Sequence, residues 1–440
     1  MRLVHVTILA AAVVAAGCSD PATAPVRSVP DAPSLQQSEG RGVFQRYVAI
    51  GTSISMGWAS DGAFIGTQTS SWPAQLARLG NREITQPYIA SPGCRSPLVA
   101  PLAAALRLSG ESALANPATL SCAPLVAGIT LPTQNVAVNG ARTIDALSTT
   151  PQTTLDPLYS RILPAGATQV TAMEAQNPKL VSVELGAVEV LSARFGVAIA
   201  GPPPAPIPLP AVWAADYDRV LDRVEGEGPG AKHVVLVGLI TNPAFIPALR
   251  PASEIAANAA VLLAGFHVAV QPDCGTTNAQ NLIFVMPLLP TTMLQGLAAR
   301  AASQPPVPFS CQAAPSPTTP DFILTPGETA IVAGILAQMN ATILSRAAAR
   351  GWAHFSLDAV YAAPGAKPPL NVATLLTSAT PFGPFISLDG VHPNAAGQAL
   401  LAHAAARALN LTYNLGIPAN PPPAPINPPP GGGLPIDDTP

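Results

Sequence analysis

Between residues 45 and 411 short, nearly continuous apolar runs alternate with longer stretches in which apolar residues recur every three or four positions. The runs are Tyr47 to Gly51, Gln134 to Val138, Leu180 to Leu185, His233 to Ile240, Leu282 to Met286 and Trp352 to Leu357. A run without polar alternation is the mark of a strand covered on both faces, as in a parallel sheet between helices. The periodic stretches carry helix punctuation. Ser71-Trp72-Pro73 opens one that stops at Gly80, with a capping hydroxyl, an early proline and a terminal glycine. Thr325-Pro326-Gly327-Glu328 opens a longer one, in which Ile331, Ile335, Leu336, Met339 and Ile343 repeat at helical spacing up to Arg350-Gly351. A last helix is expected from about Ala395 to Leu409. This alternation predicts an α/β domain, a doubly wound and mostly parallel sheet between two helix layers. Three proline-rich stretches, 92–132, 200–212 and 303–321, lack periodicity and read as insertions over that sheet, either binding surfaces or plain surface elaboration.

The pattern fails at both ends. Met1-Arg2 precedes an apolar run from about Val4 to Ala16, which is too short to span a bilayer and ends in Ala15-Ala16-Gly17-Cys18. This resembles a bacterial lipoprotein signal: small residues at the cut, then the cysteine that receives lipid. The resemblance implies a signal peptide over 1–17, lipidation at Cys18 and a membrane anchor. Ser19, where an aspartate would retain the protein at the inner membrane, points to the outer membrane of the cell envelope. Residues 18–44 are expected to be a flexible tether, 45–411 the folded domain, and 412–440, rich in Pro and Gly, a disordered tail.

Composition narrows the class further. Of 440 residues 48% are hydrophobic and only 10% charged, with a formal net charge of -3. Three lysines provide no basic stripe, so no nucleic acid partner is expected. With Cys18 lipidated, Cys94, Cys122, Cys274 and Cys311 remain, an even number suited to an oxidising compartment. Of the possible pairings, Cys94 with Cys122 and Cys274 with Cys311 are favoured, because each closes a Pro- and Gly-rich excursion that lacks a core. No C-x-x-C spacing occurs and no histidine lies near a cysteine, so neither a metal site nor a cofactor is expected.

The candidate chemistry lies at the two ends of the folded region. Ser53 follows the first apolar run on Gly51-Thr52-Ser53, and His392 stands in Asp389-Gly390-Val391-His392-Pro393-Asn394. A serine hydroxyl is a poor nucleophile until a base takes its proton. A neutral imidazole does this near pH 7, and a carboxylate three residues away can fix its tautomer. The pattern therefore makes Ser53 a nucleophile, His392 its general base and Asp389 the residue that orients the base, with the carboxyl end of a strand as their meeting place.

With Asn135-Val136-Ala137-Val138-Asn139-Gly140-Ala141 between them, these segments resemble three of the conserved blocks of the SGNH/GDSL hydrolase superfamily, over about Tyr47 to Leu409. The resemblance implies a flavodoxin-like three-layer α/β/α sandwich and a carboxylic ester hydrolase. It also implies an oxyanion hole built from the Ser53 amide, the Gly140 amide and an asparagine side chain. The chain departs from the family at that asparagine. In Leu185-Gly186-Ala187-Val188-Glu189 its place is taken by Val188, which donates no hydrogen bond. Losing such a donor costs about 10²- to 10³-fold in rate. Asn139 and Asn242 are the candidate substitutes, and a weakened enzyme or a binding protein on the same scaffold is the alternative. Thr52, where the family has aspartate, is a milder change. Acyl lipids and acetylated glycans both remain open as ester substrates.

Overall fold

The computed structural model describes residues 42–420, apart from 116–119, 202–204, 227–229 and 317. Seven strands organise it: β1 (Tyr47–Gly51), β2 (Leu180–Glu184), β3 (His233–Gly238), β4 (Leu249–Pro251), β5 (Leu282–Phe284), β6 (Ile323–Leu324) and β7 (Ala353–Ser356). The helices that position the site are α1 (Ser53–Met56), α2 (Trp72–Leu79), α3 (Gln169–Glu174), α4 (Ala187–Val190), α5 (Pro210–Glu225), α6 (Val285–Ala301), α7 (Pro326–Arg350) and α8 (Ala395–Tyr413).

Strands β1, β2, β3 and β7 form the central sheet in that order, all parallel, with Tyr47 beside Leu180, Leu180 beside His233 and Val235 beside Ala353. Every residue of β1 and β2 is buried, which is why their apolar runs show no alternation. Segment 134–138 runs parallel along the free edge of β1. The Ala49 N–H donates to the Gln134 carbonyl, and the Val136 and Val138 N–H groups donate to Ala49 and Gly51. Counting this segment, the strands follow the flavodoxin-like order in which the first two are exchanged. Helices α2 and α8 cover one face, and α3, α5 and α7 the other, giving three layers. Helix α7 starts on a capping box: the Thr325 hydroxyl accepts the Glu328 N–H at 3.3 Å, and the Glu328 carboxylate accepts the Thr325 N–H at 2.9 Å. Its buried stripe, Val332, Ile335, Leu336, Met339 and Ile343, follows the helical period.

Three expectations need correction. The run Leu282 to Met286 is not a strand of the parallel sheet. Leu282–Phe284 pairs antiparallel with β4 and β6 in a separate small sheet, and the chain then enters α6, with Met286 still extended at φ -99° and ψ 122°. The flank of β3 away from β2 belongs to β7. The packed body also begins before residue 45, since Val43 and Phe44 are buried. It likewise runs past 411: α8 continues to Tyr413, and Leu415 and Ile417 are buried against the core. Proline and glycine content drew that second boundary too early. The expected signal peptide, Cys18, most of the tether and residues 421–440 lie outside the described residues.

Cys94 is bonded to Cys122 and Cys274 to Cys311. The first bond closes part of the 92–132 insertion, and the second ties the middle of the 303–321 insertion to the segment before β5.

Candidate active site

Ser53 opens α1 at the carboxyl end of β1, and the turn before it leaves no room for error. A Cβ on Gly51 would lie 2.6 Å from the Ser55 hydroxyl oxygen and 3.1 Å from Glu184 Oε2, so the residue must be glycine. Glu184, at the carboxyl end of β2, holds the turn from beneath. Its Oε2 accepts the N–H groups of Thr52 at 3.0 Å and Ser55 at 3.2 Å, and its Oε1 accepts the Thr52 hydroxyl at 2.9 Å. Burial pushes the Glu184 carboxyl above its usual range, against the hydrogen bonds from Thr52 and Ser55 that favour its charge. In the family that this chain resembles, an acid precedes the nucleophile. Here a threonine stands at that position and donates to an acid on the next strand. No local pattern in the sequence marks Glu184, which sits inside an apolar run.

Asp389 and His392 share a tight hairpin closed by the Ser387 N–H on the His392 carbonyl at 2.9 Å. Gly390 at its tip has φ +72°, in the left-handed region, and a Cβ there would meet Ala248 at 2.5 Å. Beyond the hairpin, Asn394 Oδ1 accepts the Ala396 and Gly397 N–H groups at 3.0 and 3.1 Å, capping α8. Gln398, one turn into α8, donates to the Ile54 carbonyl at 3.0 Å and accepts from the Trp72 N–H at 2.9 Å. The C-terminal helix is thus locked onto the helix that carries Ser53.

The three candidate side chains meet in a line. His392 Nε2 lies 3.0 Å from Ser53 Oγ, and His392 Nδ1 lies 2.8 Å from Asp389 Oδ2. All three residues are buried. Asp389 Oδ1 also accepts the N–H groups of Val391 and His392, both at 2.9 Å, and its Oδ2 accepts the Asp61 N–H at 2.8 Å. Burial alone would raise the Asp389 pKa. The positive charge of protonated His392, its ring hydrogen bond and the backbone donors outweigh that and hold the carboxyl well below the usual carboxylate range. An ionised Asp389 keeps the proton of neutral His392 on Nδ1, leaving Nε2 to accept from Ser53.

The donor side is less complete. Gly140, with φ +77°, stands two residues after Val138, whose N–H is bonded to the Gly51 carbonyl at 3.1 Å. The same loop is pinned three residues on, where the Thr143 N–H donates to buried Glu189 at 2.6 Å and the Thr143 hydroxyl accepts the Trp213 indole N–H at 2.9 Å. Val188 is on the wall of the pocket that holds Ser53 and His392, a wall that includes neither Asn139 nor Asn242. Asn242 is exposed and spends its carboxamide oxygen capping the turn that follows it, on the Ala244 N–H at 2.9 Å. No group of three or more histidine, cysteine or acidic side chains suited to a metal occurs among the described residues.

No family model matches the chain, and no curated protein sequence matches it. Among solved structures, an extracellular lipase from Streptomyces rimosus is similar to this chain at 16% identity and a TM-score of 0.34, covering 83% of this chain and 98% of the lipase.

Proposed function

We propose that the protein is a serine hydrolase of SGNH/GDSL type that cleaves carboxylic esters through an acyl-enzyme on Ser53. The observation that carries this reading is the continuous hydrogen-bonded line from Asp389 through His392 to Ser53. His392 takes the Ser53 proton as Oγ attacks the ester carbonyl. The negative oxygen that forms is met by the backbone N–H groups of Ser53 and Gly140. As the intermediate collapses, His392 passes its proton to the departing alcohol, and a water activated by the same imidazole then releases the acid. Asp389 stays ionised throughout and stabilises the imidazolium. Anchoring through lipid at Cys18, with the catalytic body carried at the outer membrane, belongs to the same proposal. It rests on the N-terminal sequence alone.

A fluorophosphonate probe tests the chemistry directly, because it modifies only an activated serine. Labelling is expected at Ser53, absent in Ser53→Ala and at least tenfold slower in His392→Ala; an unlabelled wild-type protein would remove the hydrolase reading. Val188 favours a second reading, a binding protein that kept the scaffold with weakened chemistry. Val188→Asn distinguishes the two. A gain in ester turnover of about tenfold or more, within the worth of one oxyanion donor, means the native site runs without it, whereas unchanged turnover means another donor already acts.

A further inference from the structure

Two hollows meet at His392. One is a narrow slot of about 70 Å³ walled by Ser53, Val188, Leu239 and Val391 among other, largely apolar, residues. The other, about 490 Å³, opens beside the same imidazole and is amphipathic. Leu98, Leu102, Phe284 and Leu294 supply apolar surface, and Arg95, Arg107 and Arg194 supply charge; Arg194 stands on the wall the two hollows share, whereas the Phe195 and Phe322 rings beside it line the wide one only.

The three guanidinium groups are not equivalent. Arg95 lies 2.8 Å from Asp61 Oδ1 and Arg107 lies 2.7 Å from Asp61 Oδ2, so one carboxylate is shared between them. Arg194 has no counterpart. Among the described residues it joins no ion pair and donates no hydrogen bond, and its Nε is buried without a partner. Its orientation is nevertheless fixed. The guanidinium carbon sits 4.5 Å from the centroid of the Phe195 ring, Phe195 meets Phe322 edge-on at 5.5 Å, and Phe322 stacks on Phe284 at 6.4 Å. Burial works against the charge of Arg194, with only Asp61 and Asp389 nearby to offset it. Arg194 is half-buried, and of its three guanidinium nitrogens only Nε is shut off from water, so the group faces the cleft as an unpaired planar fork that matches an oxyanion bidentately.

Resting on the ester-hydrolase reading and extending it to substrate choice, we propose that Arg194 binds an anionic group, phosphate or carboxylate, on the alcohol side of an amphiphilic ester. The ester straddles the imidazole. Its acyl group enters the apolar slot beside Ser53, its alcohol lies in the wide cleft, and the aromatic shelf under Arg194 covers the apolar part of that alcohol. Neutral sugars or glycerides leave the guanidinium unpaired, so they are the poorer substrates.

The test compares the octanoyl esters of glycerol, glycerol 3-phosphate and glyceric acid, followed by release of octanoate. Wild type is expected to favour at least one anionic ester over the neutral one by about 10- to 100-fold in kcat/KM, the worth of a hydrogen bond to a charged group. The two anionic arms tell phosphate from carboxylate. Arg194→Gln should erase the preference, lowering kcat/KM on the favoured anionic ester by about tenfold or more beyond any change on the neutral one. Arg194→Lys, which keeps the charge, should retain part of the preference and covers the case in which the glutamine variant fails to fold. Equal loss on all three esters, or no preference in wild type, overturns the proposal. Binding of the uncleavable ethers, 1-O-octylglycerol 3-phosphate against 1-O-octylglycerol, separates it from the chemistry. A phosphate preference that needs Arg194 in a protein with no turnover keeps the anion site and sinks the hydrolase reading; turnover of every ester without preference does the reverse.

Discussion

Glu184 touches no substrate in the mechanism above, yet the position of Ser53 depends on it through the Thr52 and Ser55 donors. Removing the acceptor leaves two buried N–H groups unpaired, at about 1–3 kcal/mol each. Glu184→Ala should therefore lower unfolding stability by about 3 kcal/mol or more and slow Ser53 labelling. Glu184→Gln can keep its oxygen toward the two N–H groups and donate from its amide to the Thr52 hydroxyl, so both properties should stay close to wild type. A glutamine variant as damaged as the alanine variant would show that the charge itself is needed. Asp389 gives a pH-dependent expectation. Its folded pKa is depressed below the ordinary aspartate value of about 3.9. Its contribution to stability is thus complete above about pH 5 and is lost as pH falls below about 4 toward the folded value. In urea titrations the stability gap between wild type and Asp389→Asn should narrow from pH 5 to pH 2, and a gap that does not change with pH contradicts the ionised, His392-paired carboxylate. Because Glu184 is present in both proteins, its opposite shift cancels in the difference. Ser53, Asp389 and His392 were legible in the sequence because nucleophile, acid and base types stand in short marked segments. Glu184 and Arg194 were not, since neither stands in a marked segment and the surroundings that single them out, the Thr52 and Ser55 donors for one and the cleft for the other, come together only in the fold.

The β1 to α1 turn shows how an element imposes its sequence. With a Cβ at Gly51 only 2.6 Å from the Ser55 hydroxyl oxygen and 2.7 Å from its Cβ, Gly51→Ala forces the turn away from Glu184. Labelling of Ser53 by the fluorophosphonate should slow by tenfold or more while far-UV circular dichroism stays at wild-type intensity; unchanged labelling would mean the turn adapts freely. Elements of this kind were readable where two local signals agreed. Helix α7 combined a capping box, a terminal glycine and a buried stripe, and β1, β2, β3 and β7 combined apolar runs with flanking turns. The run Leu282 to Met286 had one signal only. A short apolar run fits a strand, the first turn of a buried helix or the junction between them, and here it is that junction, from β5 into α6.

Across the described residues as a whole, the first and last segments complete the body that the middle builds. Near the N-terminus Phe44 is fully buried and meets the Tyr47 ring edge-on at 5.7 Å. Near the C-terminus the Tyr413 hydroxyl lies 3.0 Å from the Val234 carbonyl and 3.1 Å from its N–H, so it serves the backbone of β3 where that strand begins. Leu415 and Ile417 are buried against the core, and Asn410 fixes the returning chain by accepting the Ile417 N–H at 2.8 Å and donating to the Ile417 carbonyl at 2.7 Å. Composition concealed this, because Asn-Leu-Gly-Ile-Pro reads as the start of a Pro- and Gly-rich tail, and only three-dimensional contact distinguishes its apolar residues from surface ones. The two boundaries differ in energy. A chain ending at residue 411 loses the burial of Leu415 and Ile417, about 1.5–3 kcal/mol for each side chain, and the backbone partners of Tyr413. A chain ending at residue 420 loses none of these. Urea denaturation should place the 411 truncation several kcal/mol below full length and the 420 truncation within about 0.5 kcal/mol of it. The same deficit should appear as slower Ser53 labelling at 37 °C, because α8 carries Gln398, which locks α1, and is capped by Asn394, whose amide donates to the Pro384 and Ile386 carbonyls ahead of the hairpin of Asp389 and His392. Equal stability of the two truncated chains would return residues 412–420 to the tail and detach the end of α8 from the positioning of the site.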